Sequence, residues 1–270
     1  VIPKNSFIAL MGESGGGKTT FCDILCGLYM PNVGEVLVDG KDMHLLDIKK
    51  WRQMIGYVPQ DLFLFHNTVL HNVNLGDTEV SEEDVVRALK DSGAWEFVIE
   101  LPEGLNTIIG ERGSRLSGGQ RQRIGIARAL SVDPSFIICD EAVSALDVSI
   151  QGQIIKLLIK LRDELNLTYL FISHDLSVVR HISDRVAVMY LGKLVEITTS
   201  DELYKTPLHP YTVSLLSAVP IPDPKAERDR KRIVLKGDVP SPITPPPGCP
   251  FHTRCQMAIK ECSLVAPQLR

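Results

Sequence analysis

Residues 12–20, Gly12-Glu13-Ser14-Gly15-Gly16-Gly17-Lys18-Thr19-Thr20, combine glycines, one lysine and three hydroxyls in an order suited to holding phosphate. Glycines let successive backbone N–H groups point inward at an anion, and a helix start adds positive potential. In such a cradle Gly12, Ser14, Gly15, Gly16, Gly17 and Thr20 line the phosphates. Lys18 neutralises the β- and γ-phosphates, and the Thr19 hydroxyl ligates Mg²⁺. Far along the chain, Asp140-Glu141 follow the apolar run 136–139. A carboxylate there can hold Mg²⁺ through its water shell, the role suited to Asp140, while Glu141 orients or deprotonates an attacking water.

These groups need elements to aim them. Ile8-Ala9-Leu10-Met11 reads as a short buried strand, and 18–29 as a helix with Phe21, Ile24, Leu25 and Leu28 at helical spacing. Strand, glycine turn and helix start form the context that G-x-x-x-x-G-K-[ST] requires. The run 136–139 predicts a strand buried on both faces, so Asp140 and Glu141 emerge at the carboxyl edge of a parallel sheet. Thr168-Tyr169-Leu170-Phe171-Ile172 predicts a second, delivering Ser173-His174 to the same edge. By itself, Ser173-His174-Asp175 reads either as a phosphate contact through His174 or as a helix cap. Gln60 follows a third strand beginning at Ile55. Asp39-Gly40, after Val36 and Val38, reads as a hairpin turn.

Leu116-Ser117-Gly118-Gly119-Gln120 lies between the cradle and the paired acids. In this order the three stretches resemble the nucleotide-binding motor of ATP-binding cassette (ABC) transporters. The resemblance implies an α/β P-loop NTPase of ABC type, with a mainly parallel core sheet, an inserted α-helical subdomain and a short Pro/Cys-rich C-terminal extension. It implies ATP and Mg²⁺, with Thr19, Gln60 and Asp140 around the metal and Glu141, His174 and Gln60 serving hydrolysis. His174 then matches the family's switch histidine and Gln60 its Q-loop glutamine. In this family Ser117, Gly118, Gly119 and Gln120 open a helix, here 117–130, directed at the γ-phosphate held by another protomer. Asp147, in Ser144-Ala145-Leu146-Asp147, resembles the D-loop that crosses that interface. The implied partners are a second ABC ATPase subunit, in a homo- or heterodimer, transmembrane permease subunits and a substrate-binding protein. The implied location is the cytoplasmic face of the membrane.

The 270 residues are 44% hydrophobic, with a net charge of −4, which argues against a nucleic-acid footprint. No apolar run approaches the roughly 20 residues needed to span a bilayer. The expected division is an ABC ATPase domain over 1–219, with the helical subdomain at about 61–131, followed by a linker and extension over 220–270. Ser81-Glu82-Glu83-Asp84 predicts a capped helix, 94–101 another, and short helices are expected from Ser200 and over 211–218. The chain begins at Val1, and the resemblance implies earlier strands and an adenine-stacking aromatic, so a fragment is expected.

Two resemblances pull in different directions. Gly110-Glu111-Arg112-Gly113, and the segment from Leu64 to Val73, look like ABC exporters. From Asp140 onward, His174-Asp175-Leu176-Ser177, Met189-Tyr190-Leu191-Gly192-Lys193 and Thr206-Pro207-Leu208-His209-Pro210-Tyr211-Thr212 resemble oligopeptide and dipeptide importer ATPases. Either a mosaic joined near 120–130 or one unusual lineage accounts for this. The leading expectation is an ATPase subunit powering peptide import. Its alternatives are an exporter domain, a non-transport ABC ATPase and an inactive fragment or chimera.

The proline-dense stretch 237–248 predicts an extended loop. Cys249, Cys255 and Cys262 resemble the cysteine-bearing importer tail, where some relatives hold an iron–sulfur cluster, although four thiolates are usual. An incomplete cluster or metal site, free thiols in a packed cap, and a disulfide all stand as readings. Cys22, Cys26 and Cys139 occupy core-like positions.

Overall fold

The computed structural model describes residues 1–219 and 232–269. The proline-rich, charged linker expected from Pro220 lies outside the described residues up to 231. The chain opens with β1 (Phe7–Met11), α1 (Lys18–Leu25), β2 (Leu37–Val38), β3 (Lys41–Asp42), α2 (Ile48–Gln53) and β4 (Ile55–Val58). Helices α3 (Val69–Asn74), α4 (Glu82–Asp91), α5 (Trp95–Ile99) and α6 (Gly118–Leu130) come next. Then follow β5 (Phe136–Asp140), α7 (Val148–Leu165), β6 (Thr168–Ile172), α8 (Leu176–Ile182), β7 (Arg185–Tyr190), β8 (Lys193–Thr199), α9 (Ser200–Lys205) and α10 (Pro210–Ser217). The contacts group the chain into two compact units. One comprises Val1–Ser6 with Thr19–Ile172, the other Phe7–Lys18 with Ser173–Arg270.

In the first unit β4, β5 and β6 are parallel, with Tyr57 opposite Ile138 and Cys139 opposite Phe171. Every residue of β5 and β6 is buried, as continuous apolar runs require of strands covered on both faces. Burial pushes the Cys139 thiol up to about 12, so it packs as a protonated hydrophobe. Asp39 and Gly40 adopt φ 50° and 77° between β2 and β3, the geometry of a type I′ hairpin turn.

The first helix corrects its expectation: α1 stops at Leu25, and Leu28 and Tyr29 are exposed. Gly27, at φ 66°, turns the chain. The Leu28 N–H donates to the Asp23 carbonyl and the Gly27 N–H to that of Ile24, a Schellman ending that overrides the apolar spacing. Trp51 Nε1 and Arg52 donate to the carbonyls of Leu25, Cys26 and Gly27, satisfying the end from outside.

The helical segment is pinned by local polar chemistry. Ser81 and Asp84 form a reciprocal capping box at α4. The helix expected over 94–101 is trimmed to α5. Asn72, fully buried, donates to the carbonyls of Phe65, Asn67 and Thr68. Arg128 on α6 donates to the carbonyls of Asn72 (2.8 Å) and Phe63 (3.0 Å), tying the loop that precedes α3 to α6.

In the second unit β1 pairs parallel with β7, and β7 pairs antiparallel with β8 across Leu191 and Gly192, both at positive φ. The tail belongs to this unit's core, so the compact units do not divide at 219/220. The cause is Phe251, 1% exposed, whose ring lies 5.1 Å from Tyr190 and 5.3 Å from Tyr211. Cys249, Cys255 and Cys262 are free cysteines in the same apolar cluster. Among the described residues, no group of three or more His, Cys, Asp or Glu is placed to hold a metal ion.

The Thr206–Thr212 motif is explained by helix capping. Buried Glu196 accepts from the backbone N–H groups of Leu208 (2.9 Å) and His209 (3.0 Å). His209 Nδ1 accepts from the Tyr211 N–H at the start of α10, where Pro210 sits at the first turn. That role needs a bare Nδ1, and burial lowers the His209 pKa below its usual 6.5, against an opposing pull from Glu196. The unfolded chain therefore takes up this proton first, so the contribution is present above about pH 6.5 and is lost as pH falls below it. His209→Asn, which keeps a capping acceptor but does not titrate, is expected to flatten the fall in melting temperature between about pH 7.5 and about pH 5.5, measured by calorimetry.

Candidate nucleotide and magnesium site

The buried strand β5 ends on Asp140, a carboxylate only 6% exposed. Leaving such a charge unpartnered costs several kcal/mol (~2 or more), so its surroundings are decisive. Thr19 Oγ1 donates to Asp140 Oδ2 at 3.2 Å, and the Tyr57 hydroxyl donates to the same oxygen at 3.1 Å. Burial, with Asp140 beside it, raises the Tyr57 phenol far above its ordinary range and keeps it a donor.

The next residue turns away sharply. Glu141 has φ 48°, a left-handed conformation that costs on the order of 1 kcal/mol for a non-glycine residue. Its N–H donates to the Ile172 carbonyl, and its own carbonyl accepts from the Ser144 N–H and hydroxyl, which hold the turn. The Glu141 carboxylate accepts from Gln60 Nε2 at 3.1 Å. Thr19, Asp140, Gln60 and Glu141 thus meet within the first unit. Hydroxyl, carboxylate and amide oxygens are the hard donors that suit Mg²⁺.

In the second unit the glycine turn is built around Lys18, 6% exposed, whose Nζ donates to the carbonyls of Gly12 (2.9 Å) and Glu13 (3.0 Å). A side chain at Gly12 would collide with the Met189 carbonyl. Gly17, at φ 93°, lies against the Gly192 backbone, and the Gly192 N–H donates to the Gly16 carbonyl at 2.8 Å. Ser14, Gly15, Thr19 and Thr20 are exposed. His174 is exposed as well, beside Ser173, whose hydroxyl accepts from the Asp175 N–H while Asp175 caps α8.

The Leu116–Gln120 segment makes its hydrogen bonds locally. Ser117 caps α6 and exchanges hydrogen bonds with Gln120 in a capping box. Among the described residues, no hydrogen bond joins Ser117, Gly118, Gly119 or Gln120 to Thr19, Gln60 or Asp140. Gly118 lies against Leu146 of the Ser144–Asp147 turn, and Gly119 against Ile150 on α7, where added bulk would press on that side chain. Asp147 caps α7, accepting from the Ile150 N–H at 3.0 Å. Tyr57 escaped the sequence reading, because nothing local ties it to a carboxylate 83 residues away.

A phosphate-binding glycine turn leading into a helix, with an oxygen-donor cluster at the carboxyl end of parallel strands, defines a P-loop nucleotide-binding protein. The chain belongs to the ABC transporter family, whose model matches residues 1–144. A second family model, the C-terminal region of oligopeptide/dipeptide transporters, matches residues 195–262. Oligopeptide transport ATP-binding protein AppF of Bacillus subtilis is 46% identical over 276 residues, covering 100% of this chain and 83% of that protein. Oligopeptide transport ATP-binding protein OppF of Salmonella typhimurium is 45% identical, covering 97% of this chain and 80% of that one. A bacterial Atm1-family ABC exporter solved with ATP bound matches with a TM-score of 0.69 and 33% identity, over 79% of this chain and 37% of the exporter. The likeness to the two ATP-binding proteins thus runs through both halves of the chain, including the half with exporter-like segments.

Tyr57→Phe is expected to cost about 1–2 kcal/mol in urea unfolding, the worth of a hydrogen bond to a buried carboxylate. In an Asp140→Asn background the same change should cost only a few tenths (~0.3 kcal/mol), since the charged acceptor is gone.

Proposed function

We propose that this chain is the ATP-hydrolysing subunit of an ABC peptide importer, dimerising on ATP to drive permease subunits at the cytoplasmic face of a membrane. The observation that carries the ATPase reading is the pairing of Thr19 and Asp140, one residue after a lysine held inside a glycine turn. Thr19, Asp140 and Gln60 would hold Mg²⁺, which when bound neutralises the β- and γ-phosphate charge. The N–H groups of 14–20 and Lys18 bind and orient the phosphates. Glu141, aimed by its bond to Gln60, accepts the proton of the attacking water. His174 contacts the γ-phosphate.

Ser117 to Gln120 serve the site of a second ATPase subunit, whose own signature serves this one, as twofold pairing demands. The absence, among the described residues, of a hydrogen bond from this segment to Thr19, Gln60 or Asp140 supports this division of labour. Asp147, at the capped start of α7, faces that interface. Peptide import is supported by the names of AppF and OppF and by the match over 195–262. Among the described residues no helix is long and apolar enough to cross a membrane, so permease subunits supply the passage in this reading, with a substrate-binding protein delivering cargo.

Export is the second reading. It draws on the turn Glu111–Gly113, where Arg112 sits at φ 51°, and on the similarity to the Atm1-family exporter. Co-purification with an importer permease pair, and not with an exporter's membrane domains, separates the two.

Steady-state hydrolysis per chain is expected to rise with protein concentration, because each site needs two chains. Glu141→Gln should lower turnover by about 10²–10⁴-fold while ATP-dependent dimers accumulate in light scattering. A rate per chain that is constant on dilution contradicts the two-chain site, and ATP binding without turnover marks an inactive fragment.

A further inference from the structure

The carboxylate of Glu13 is an awkward group to find in a phosphate-binding turn. It places a negative charge between Gly12 and Ser14, where a polyanion is to be held. In the second unit its partner comes from the C-terminal extension, 241 residues away. Arg254 Nη1 donates to both Glu13 oxygens, at 3.2 and 3.1 Å, and to the Tyr190 hydroxyl at 3.4 Å. The Arg254 side chain is only 9% exposed and that of Glu13 29%, so solvent screens the pair weakly. Arg254 Nε is buried without a hydrogen-bond partner among the described residues, which leaves its Nη1 contacts to compensate the buried guanidinium.

Two further contacts tie the turn to the extension and to the helix on which it packs. Tyr211, packed on Phe251, accepts from the Glu13 backbone N–H through its hydroxyl at 3.0 Å. Val239, Pro240, Ser241 and Pro242 line a cavity of about 210 Å³ together with Glu13 to Gly16. Arg254 is itself fixed by its N–H, which donates to the Phe251 carbonyl at 3.0 Å. One turn of the extension therefore carries both the aromatic anchor and the cation.

We propose that Arg254 is a positioning residue for the phosphate-binding turn: the extension supplies the cation that neutralises Glu13 and so sets the affinity of the turn for nucleotide phosphates. This rests on the reading of 12–20 as the ATP phosphate cradle. It gives the extension a direct role in nucleotide binding, one independent of its cysteines. The charge logic also fixes signs that a purely structural tie does not. Without Arg254, the carboxylate repels the phosphates. Without the Glu13 charge, Arg254 is left as an uncompensated attraction.

The test is equilibrium binding of a fluorescent ATP analogue with Mg²⁺ to the full chain, with thermal unfolding of each variant as a control. Arg254→Gln is expected to raise Kd about tenfold, as one unscreened like charge near the phosphates implies. Glu13→Gln should lower Kd a few-fold (~3), and in the double variant the penalty of Arg254→Gln should shrink to about twofold or less. A Glu13→Gln variant that binds no more tightly than the native chain overturns the proposal, even if Arg254→Gln fails to fold. So does an Arg254→Gln penalty that persists undiminished in the double variant, the pattern of a structural brace alone. Absence of binding by the native chain would instead take down the cradle reading on which the proposal rests.

Discussion

A carboxylate at the end of a fully buried strand must be met by donors or a cation, and in this protein that constraint organises the first unit. β5 is apolar over its first four residues and ends on Asp140 at 6% exposure. The parallel pairing of β4 with β5 puts the Tyr57 hydroxyl on the same carboxylate oxygen that Thr19 reaches from the start of α1. Once Asp140 is satisfied, the backbone leaves by the left-handed residue Glu141, which turns its carboxylate toward Gln60. Glu141 thus takes the position left to it by the burial of Asp140. The cost of the Glu141 conformation is offset by the hydrogen bonds of the 141–144 turn.

The second unit meets an analogous demand at the glycine turn. Lys18 is almost wholly buried and is satisfied by two carbonyls of the turn it follows. The Glu13 carboxylate is met by Arg254 of the extension, and its backbone N–H by the Tyr211 hydroxyl of α10. The aromatic triad of Tyr190, Tyr211 and Phe251 makes that reach possible, since it anchors the extension on the strand and helix beside the turn. A tail that looks in sequence like an appendage is part of the apolar core of the unit that carries the glycine turn.

What the sequence made legible follows the range of the interactions. Continuous apolar runs revealed β1, β5 and β6, because burial on both faces leaves no other reading of a five-residue stretch bounded by turns. The cap at Ser81 and the Asp39-Gly40 turn were legible because their partners lie within three residues, whereas the Ser117–Gln120 capping box went unread. The end of α1 was not, since apolar spacing continues to Leu28 while one glycine reverses the chain. Tyr57 and Arg254 were invisible for another reason. Their partners lie 83 and 241 residues away, and no local pattern marks a tyrosine or an arginine that will meet a particular carboxylate. Glu13 offered the one clue, an acid inside an anion-binding turn, from which a distant cation could have been sought.

The central claim is that Thr19 and Asp140 form a magnesium–nucleotide centre, and Mn²⁺ reports on it most directly. Electron paramagnetic resonance of Mn²⁺ with ATP should give an immobilised signal with the native chain that depends on nucleotide. Thr19→Val and Asp140→Asn, each checked for folding, should return the spectrum toward that of Mn²⁺–ATP in solution. Native-like spectra from both variants at saturating protein would contradict the account, because the metal would then be held by groups other than these two.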